Sequence, residues 1–238
     1  LALYNSVLSG ISLNGKDFLY ANPLATNDRL PFQLRWSKDR VPYIGLSFCC
    51  PPNVVRTIAE SSDYAYSLSG KGLWVNLYGS NQLATKLPGG APLSVVQQSN
   101  YPWDGQVQIR MEEVPSHPIT VFLRIPGWAA SATVWVNGER LTEIPHPGSY
   151  FPSRRQWKSG DRISLSLPMH AELIQANPLV EQTRNQVAVK RGPLIYCLES
   201  TDLSGKENLL DIAIPQEIQL KPVSVKIAGT AVTALEGK

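Results

Sequence analysis

Two adjacent cysteines, Cys49 and Cys50, are the residues of this sequence best suited to chemistry. They are followed by Pro51, Pro52 and Asn53, and the apolar residues beyond recur at helical spacing. This pattern predicts a helix that begins at or just after the pair, since proline is tolerated in a first helical turn. The positive end of the helix dipole favours a thiolate over a thiol, so either sulfur would be a better nucleophile or metal ligand than an ordinary free cysteine.

Spacing alone does not decide between a chemical and a structural role for this pair. Free cysteine is among the most buried residue types, so two core thiols are the competing interpretation. The side chains could converge on one Zn²⁺ at the bend into the helix, but zinc takes four ligands and the neighbouring sequence supplies two. The third cysteine, Cys197, lies within a strand pattern without a neighbouring ligand, which predicts a buried apolar residue.

The other candidate side chains have ordinary structural explanations. Asp104 stands in a Pro-x-Asp-Gly sequence, which is first of all a turn. Trp74 and Trp135 could stack on sugar rings, but each alternates with apolar neighbours, which favours core packing. None of the histidines is spaced for metal binding: His117, His146 and His170.

The elements before the cysteine pair are predicted to be a helix and a hairpin. The first nine residues carry apolar positions at helical spacing, and Gly10 ends the pattern. Residues 11–20 predict a hairpin with Asn14 and Gly15 in a type I′ turn. Because the helix is already under way at residue 1 and no Met begins the chain, we expect an N-terminal part, with any signal peptide, to be missing.

The pattern changes from helical to β in the segment 72–78, the first of several short alternating runs separated by turn residues. Asn137 and Gly138 mark a hairpin turn between two such runs. The predicted fold class is therefore mostly β, with antiparallel sandwiches of roughly 100 residues each. We place one sandwich at 71–172 and a second at 173–238, which is short for a complete one.

Composition excludes several classes of function. The 238 residues are 43% hydrophobic and 17% charged, which is typical of a folded protein. A net charge of +3, from 22 Lys and Arg against 19 Asp and Glu spread along the chain, offers no basic face for nucleic acid. No apolar run approaches the roughly 18 residues of a membrane span. We therefore expect neither a nucleic-acid nor a membrane partner, while the compartment, cytoplasmic or periplasmic and secreted, stays open.

Longer stretches of the sequence resemble one enzyme family. Residues 49–53, Cys-Cys-Pro-Pro-Asn, resemble a signature of glycoside hydrolase family 127, the β-L-arabinofuranosidase-like enzymes. Further segments are similar to the C-terminal half of that family and occur in the same order: 20–24, 72–78, 101–105, 123–128, 136–139 and 190–199. The resemblance covers nearly the whole chain.

The resemblance implies a protein in which an (α/α)₆ barrel precedes β-sandwich domains. Residues 1–70 would form the C-terminal end of the barrel and pack on the rest of it. The resemblance makes Cys49 the nucleophile of a retaining glycosidase and makes Cys49 and Cys50 zinc ligands, with a Glu-x-Cys element and the acid/base Glu lying before Leu1. It places Tyr20 near the sugar pocket, where its phenol could hydrogen-bond a substrate hydroxyl, although a hairpin core position is the alternative.

The function predicted on this basis is hydrolysis of β-L-arabinofuranosides or related plant-wall sugars by the full-length protein. The segment alone is expected to be inactive. The alternative is a non-catalytic carbohydrate-binding or interdomain β-sandwich module with a structural cysteine pair. A structural zinc module is a third interpretation, and the lack of a second cysteine pair argues against it. The sugar, the linkage and the oligomeric state do not follow from the sequence.

Overall fold

The structure is a computed structural model that describes residues 2–21, 39–45, 47–203, 205 and 207–237. Its regular elements are mostly strands, which confirms the predicted class. The described residues include the α-helix α1 (Cys50–Ala59). They also include short π- and 3₁₀-helical turns at Leu3–Val7, Leu8–Gly10, Glu60–Tyr64, Glu181–Thr183, Ser200–Asp202 and Leu209–Asp211. The strands in chain order are β1 Asp17–Phe18, β2 Val41–Pro42, β3 Tyr66–Ser69, β4 Gly72–Val75, β5 Asn81–Lys86, β6 Pro92–Ser99, β7 Gln106–Glu113, β8 Ile119–Ile125, β9 Thr133–Val136, β10 Glu139–Arg140, β11 Ser149–Arg155, β12 Arg162–Ser166, β13 Ala171–Ile174, β14 Ala188–Arg191, β15 Leu194–Tyr196, β16 Leu220–Ile227 and β17 Thr230–Gly237.

Internal contacts divide the chain into two compact units. One is Glu60–His170, and the other combines Leu1–Ala59 with Ala171–Lys238. The division into domains at 1–70, 71–172 and 173–238 stays a prediction. Among the helices that the structure describes, none has the length and apolar character needed to cross a bilayer.

The unit Glu60–His170 is a β-sandwich. One sheet has six strands in the order β10-β9-β12-β7-β6-β5, and the other has four in the order β11-β8-β4-β3. Alternation along β7 explains the layering, because Val107, Ile109 and Met111 are at most 1% exposed while the residues between them are exposed. These side chains belong to a buried cluster that also contains Leu73 of the smaller sheet. The core therefore lies between the two sheets.

One strand pair departs from the antiparallel arrangement that the sequence predicts. Strands β4 and β8 are parallel, with Gly72 opposite Thr120 and Val75 opposite Leu123. Between them the chain forms β5, β6 and β7 of the other sheet, so a long crossover replaces a hairpin. Glycine is required at position 72 because its φ is +139° and a Cβ atom there would collide with the Thr120 carbonyl oxygen.

The two Asn-Gly pairs form different turns. Asn137 and Gly138 have φ values of +53° and +86° and join β9 to β10, which confirms the predicted hairpin. Gly15 has a φ of +73°, but Asn14 does not take a positive φ, so the predicted type I′ turn is wrong although a hairpin forms. The Asn14 side chain instead accepts the Lys16 N–H at 2.9 Å, which stabilises a wider loop.

The strands after the first sandwich form two small sheets. Strands β13 to β15 make a three-stranded sheet, and β16 pairs with β17 in a two-stranded ribbon. Apart from Phe18, Pro51 and Pro193, every buried apolar side chain of the described chain lies between Ala65 and Leu167. Within the described residues, these late sheets therefore bury little apolar surface, and the second sandwich stays a prediction.

The late strands are instead tied to the start of the chain. The Asn5 side chain donates to the Pro193 carbonyl oxygen and accepts the Ile195 N–H, each at 2.8 Å. Asn5 lies in the first helical turn, and Ile195 lies in β15. These two hydrogen bonds explain why the beginning and the end of the chain belong to one unit.

Candidate cysteine site

The cysteine pair lies at the start of α1, as the sequence predicts. The Asn53 N–H donates to the Cys49 carbonyl oxygen at 3.1 Å, which makes Cys49 the N-cap residue and Cys50 the first residue of the helix. Pro51 and Pro52 occupy the first turn, where a missing N–H removes no helical hydrogen bond. The chain therefore turns from loop into helix between the two cysteines.

The two sulfurs lie close together at this turn. The Cys49 Sγ is 3.2 Å from the Cys50 Sγ and 3.9 Å from the Ser47 Oγ. Both cysteines are free thiols, since a disulfide has an S–S distance of about 2.0 Å. Cys49 is exposed, Cys50 is partly buried and Ser47 is buried. The site thus presents one accessible sulfur with a second sulfur and a hydroxyl beside it.

The two thiols differ in acidity. Hydrogen bonds from Cys50 and then from Ser47 hold the pKa of Cys49 below its ordinary value. The hydrogen bond to Cys49 raises the pKa of Cys50, and partial burial raises it further. The pair therefore favours a thiolate on Cys49 beside a thiol on Cys50. Because the thiolate is the reactive form, Cys49 is the better nucleophile of the two.

The separation of the two sulfurs can be compared with that of two ligands in a tetrahedral zinc site. With Zn–S bonds of about 2.3 Å, two sulfur ligands lie roughly 3.8 Å apart. The observed separation of 3.2 Å would need only a small opening. Over the described ranges, no group of three or more His, Cys, Asp or Glu side chains is placed to hold a metal ion. The separation of the two sulfurs therefore fits two zinc ligands, and zinc binding stays a prediction.

Tyr20, the predicted substrate contact, makes structural hydrogen bonds close to the pair. Its hydroxyl accepts the Ile44 N–H at 2.8 Å and donates to the Pro42 carbonyl oxygen at 3.4 Å. The Ile44 carbonyl oxygen in turn accepts the Ser47 N–H at 2.7 Å. Tyr20 is thereby connected, through a short backbone segment, to the hydroxyl that contacts Cys49. Its contact with substrate stays a prediction.

Ser47 is the site residue that sequence reasoning missed. No spacing rule assigns a function to a serine two positions before a cysteine, and only its burial beside Cys49 reveals its contact with the thiol. The available signal was its hydroxyl alone, which most often hydrogen-bonds nearby backbone.

Cys197 and two tryptophans lie where the sequence did not predict them. Cys197 is exposed, so its predicted burial is wrong; β15 ends one residue earlier, at Tyr196. Trp74 and Trp135 are only partly buried and lie on the outer faces of the sandwich, because their neighbours in β4 and β9 fill the core. The predicted core packing of both tryptophans is therefore wrong.

Three family profiles match successive parts of the chain. The β-L-arabinofuranosidase GH127 catalytic domain matches residues 1–63. The β-L-arabinofuranosidase GH127 middle domain matches residues 72–169. The glycoside hydrolase family 127 C-terminal domain matches residues 171–233. The cysteine pair falls within the catalytic-domain match.

Individual relatives agree with these profiles. The chain is 36% identical over 213 residues, 85% of its length, to a non-reducing end β-L-arabinofuranosidase of Bifidobacterium longum subsp. longum, of which it covers 31%. A solved structure described as a glycoside hydrolase is 46% identical to this chain, with a TM-score of 0.91. The match covers 99% of this chain and 39% of the solved chain. The solved structure of a GH127 β-L-arabinofuranosidase from Geobacillus stearothermophilus T6 is 34% identical to this chain, with a TM-score of 0.83. The match covers 99% of this chain and 37% of the solved chain. The chain spans about a third of the length of the curated relative that it matches.

Proposed function

The chain belongs to glycoside hydrolase family 127, and from this membership we propose that it carries the nucleophile of a retaining hydrolase of β-L-arabinofuranosides or related plant-wall sugars. The relatives named as β-L-arabinofuranosidases support the substrate class. The observation that carries the proposal is the exposed Cys49 thiol, which the hydrogen bond from Cys50 makes more acidic.

Cys49 would act by attack of its sulfur on the anomeric carbon. The carbon–sulfur bond forms as the bond to the leaving oxygen breaks, and water later cleaves the carbon–sulfur bond with overall retention. Protonation of the leaving oxygen needs a general acid, and we assign that role to no residue of this chain. The competing interpretation, a purely structural pair, is disfavoured because structural thiols are inert, whereas the helix start and the hydrogen bond from Cys50 favour a reactive thiolate on Cys49.

Cys50 would serve as a zinc ligand together with Cys49. When bound, zinc would keep coordinating sulfur deprotonated at neutral pH. The hydrogen bond from Ser47 also favours the charged form of Cys49, so two features of the protein act in the same direction. Tyr20 holds Ile44, and thereby the segment that carries Ser47, while its phenol oxygen could also meet a sugar hydroxyl.

We further propose that residues 1–70 form the end of an (α/α)₆ barrel whose other helices cover them. The support is apolar surface near the cysteine pair: Phe48 is 77% exposed and Val55 is 51% exposed. Leu8, in the helical turn before the hairpin, is 42% exposed. A cluster of exposed apolar side chains is typical of a surface that another part of the protein covers.

The test compares three cysteine variants in a protein of the relatives' full length. We expect Cys49→Ser to lower hydrolysis of a β-L-arabinofuranoside by more than about a thousandfold, because the nucleophile is lost. Cys50→Ser should lose zinc and activity together. The matched control, Cys197→Ser, should keep both. Near-normal activity of Cys49→Ser would show that the nucleophile lies elsewhere.

A further inference from the structure

The outer face of the six-stranded sheet carries a row of polar side chains beside a tryptophan. Cross-strand pairing places Gln98 opposite Gln108, Gln108 opposite Ser164, and Ser164 opposite Trp135. Trp135 lies opposite Arg140 at the sheet edge. Directly opposed residues share one face of a sheet, so these five side chains form one continuous row, the polar row.

The neighbouring row on the same face is positively charged. Arg162 lies directly opposite Arg110, and like charges in opposed positions destabilise a strand pair. Arg110 forms an ion pair with Glu112 at 2.7 Å. Ion pairs found among the described residues do not include Arg162, whose side chain is exposed. One positive charge on this face is thus left without a protein counter-charge there.

An open cavity of about 200 Å³ lies where the two rows adjoin on β6, β7 and β12, and its lining includes Gln98, Gln108, Arg110 and Arg162; Trp135 lies beyond it on the same face. The small Ser164 separates Gln108 from Trp135, and two strand spacings put about 10 Å between the strands that carry the larger side chains. The small side chain of Ser164 is therefore the one that lies between the indole and the amide on this face.

We propose that this face binds an acidic oligosaccharide whose sugars carry uronate carboxylates. The partly exposed Trp135 offers an apolar ring against which the C–H face of a sugar can pack. The amides of Gln98 and Gln108 both donate and accept, which suits sugar hydroxyls. Arg162 can take a carboxylate through two parallel hydrogen bonds. This binding does not involve Cys49, so its failure would leave the proposed hydrolysis untouched.

Charge distinguishes this ligand from a neutral sugar chain. A neutral oligosaccharide would use Trp135 and the amides but would leave Arg162 without a counter-charge, since Glu112 pairs with Arg110 alone. A carboxylate placed between the two arginines would relieve their repulsion as well as bind Arg162. The preference for an acidic chain should therefore weaken as salt is added, since the site is exposed.

The test is calorimetric titration of the 238-residue chain with trigalacturonate and with a neutral galactotriose. We expect trigalacturonate to bind at least about tenfold more tightly at low salt. Arg162→Gln should remove that advantage without changing the affinity for galactotriose, and Trp135→Tyr should weaken the binding of both sugars. Arg154→Gln, an exposed arginine on the outer face of the other sheet, is the matched control and should change neither affinity.

A second substitution tests the role of charge while both arginines stay in place. Gln108→Glu keeps the side-chain size, introduces a carboxylate into the cavity and should weaken trigalacturonate binding about tenfold. Equal affinity for the acidic and neutral sugars would overturn the proposal, as would no measurable binding of either. Displacement of trigalacturonate by equimolar sulfate would also overturn it, because an anion site without sugar recognition would then suffice.

Discussion

The hydroxyl of Tyr20 accepts the backbone N–H of Ile44 at 2.8 Å, across 24 residues of sequence. Ile44 then accepts the N–H of Ser47, whose hydroxyl lies 3.9 Å from the Cys49 sulfur. One phenol therefore positions the segment that leads into the cysteine pair. This arrangement gives Tyr20 a positioning role that can be separated experimentally from the predicted contact with substrate.

Replacing Tyr20 by Phe removes the acceptor of the Ile44 N–H. We expect the free energy of unfolding to fall by about 1 kcal/mol. In a protein of the relatives' full length, kcat should fall while KM changes little, because the segment before Cys49 is less firmly held. Tyr43→Phe, a change at a residue that is 49% exposed, is the control and should alter neither quantity. A rise in KM with kcat unchanged would instead identify Tyr20 as a substrate contact.

The pH dependence of alkylation should distinguish the exposed cysteines. Hydrogen bonds from Cys50 and Ser47 lower the pKa of Cys49, whereas partial desolvation of the sulfur and then the carboxylates of Glu199 and Asp202 raise the pKa of Cys197. In metal-free protein, labelling of Cys49 by iodoacetamide should therefore begin at lower pH than labelling of Cys197. Mass spectrometry of labelled peptides measures both sites in one sample.

Two variants provide the controls for that experiment. Ser47→Ala should move the labelling profile of Cys49 to higher pH, because one stabilising hydrogen bond is lost. Cys50→Ala should move it further, because the largest cause of the lowered pKa is removed. If neither change moves the Cys49 profile, the acidity of the pair does not arise from these contacts.

Stability at high pH should depend on Tyr78. Its hydroxyl donates to the Arg124 carbonyl oxygen at 2.6 Å in the sandwich core, and burial raises the pKa of Tyr78 well above its usual range. The folded state keeps this proton while the unfolded chain releases it above pH of about 10, so the free energy of unfolding should decrease as pH rises past that value.

The variant Tyr78→Phe has nothing to ionise at this position. We expect it to be less stable at pH 7 by about 1 kcal/mol, because the Arg124 carbonyl oxygen loses a donor. Its stability should then fall less steeply above pH of about 10. Urea unfolding at several pH values measures both effects, with Tyr64→Phe as an exposed control. Parallel curves for the wild type and Tyr78→Phe would contradict the assignment.

Gly105 should be indispensable to the sandwich for steric reasons. A Cβ atom at this position would collide with the carbonyl oxygen of Leu167, whose N–H donates to Gly105 at 2.9 Å. Gly105→Ala is expected to lower the free energy of unfolding by about 3 kcal/mol. Gly127→Ala, which would meet no atom within 4 Å, should change it by less than about 0.5 kcal/mol. Denaturant unfolding of the two variants measures the difference.

Local sequence determined the features that arise within a few residues. The Cys-Cys-Pro-Pro-Asn segment places the pair at a helix start because proline fits only the first turn, and α1 begins there. Asn137 and Gly138 form their hairpin because both tolerate a positive φ. The alternating run at 72–78 predicted a strand for a similarly local reason, since side chains two apart share a side, and β4 begins there.

Tertiary structure decided the relationships between distant segments. The parallel pairing of β4 with β8 depends on where the chain re-enters the sheet, which no local pattern encodes. Trp135 lies on the outer face because its neighbours in β9, Val134 and Val136, are buried in the core. Alternation in the sequence shows that a strand has two faces, but it does not show which face is covered. The reach of Tyr20 to Ile44 depends on strand pairing between β1 and β2, because a hydrogen bond across 24 residues exists only once both ends are folded.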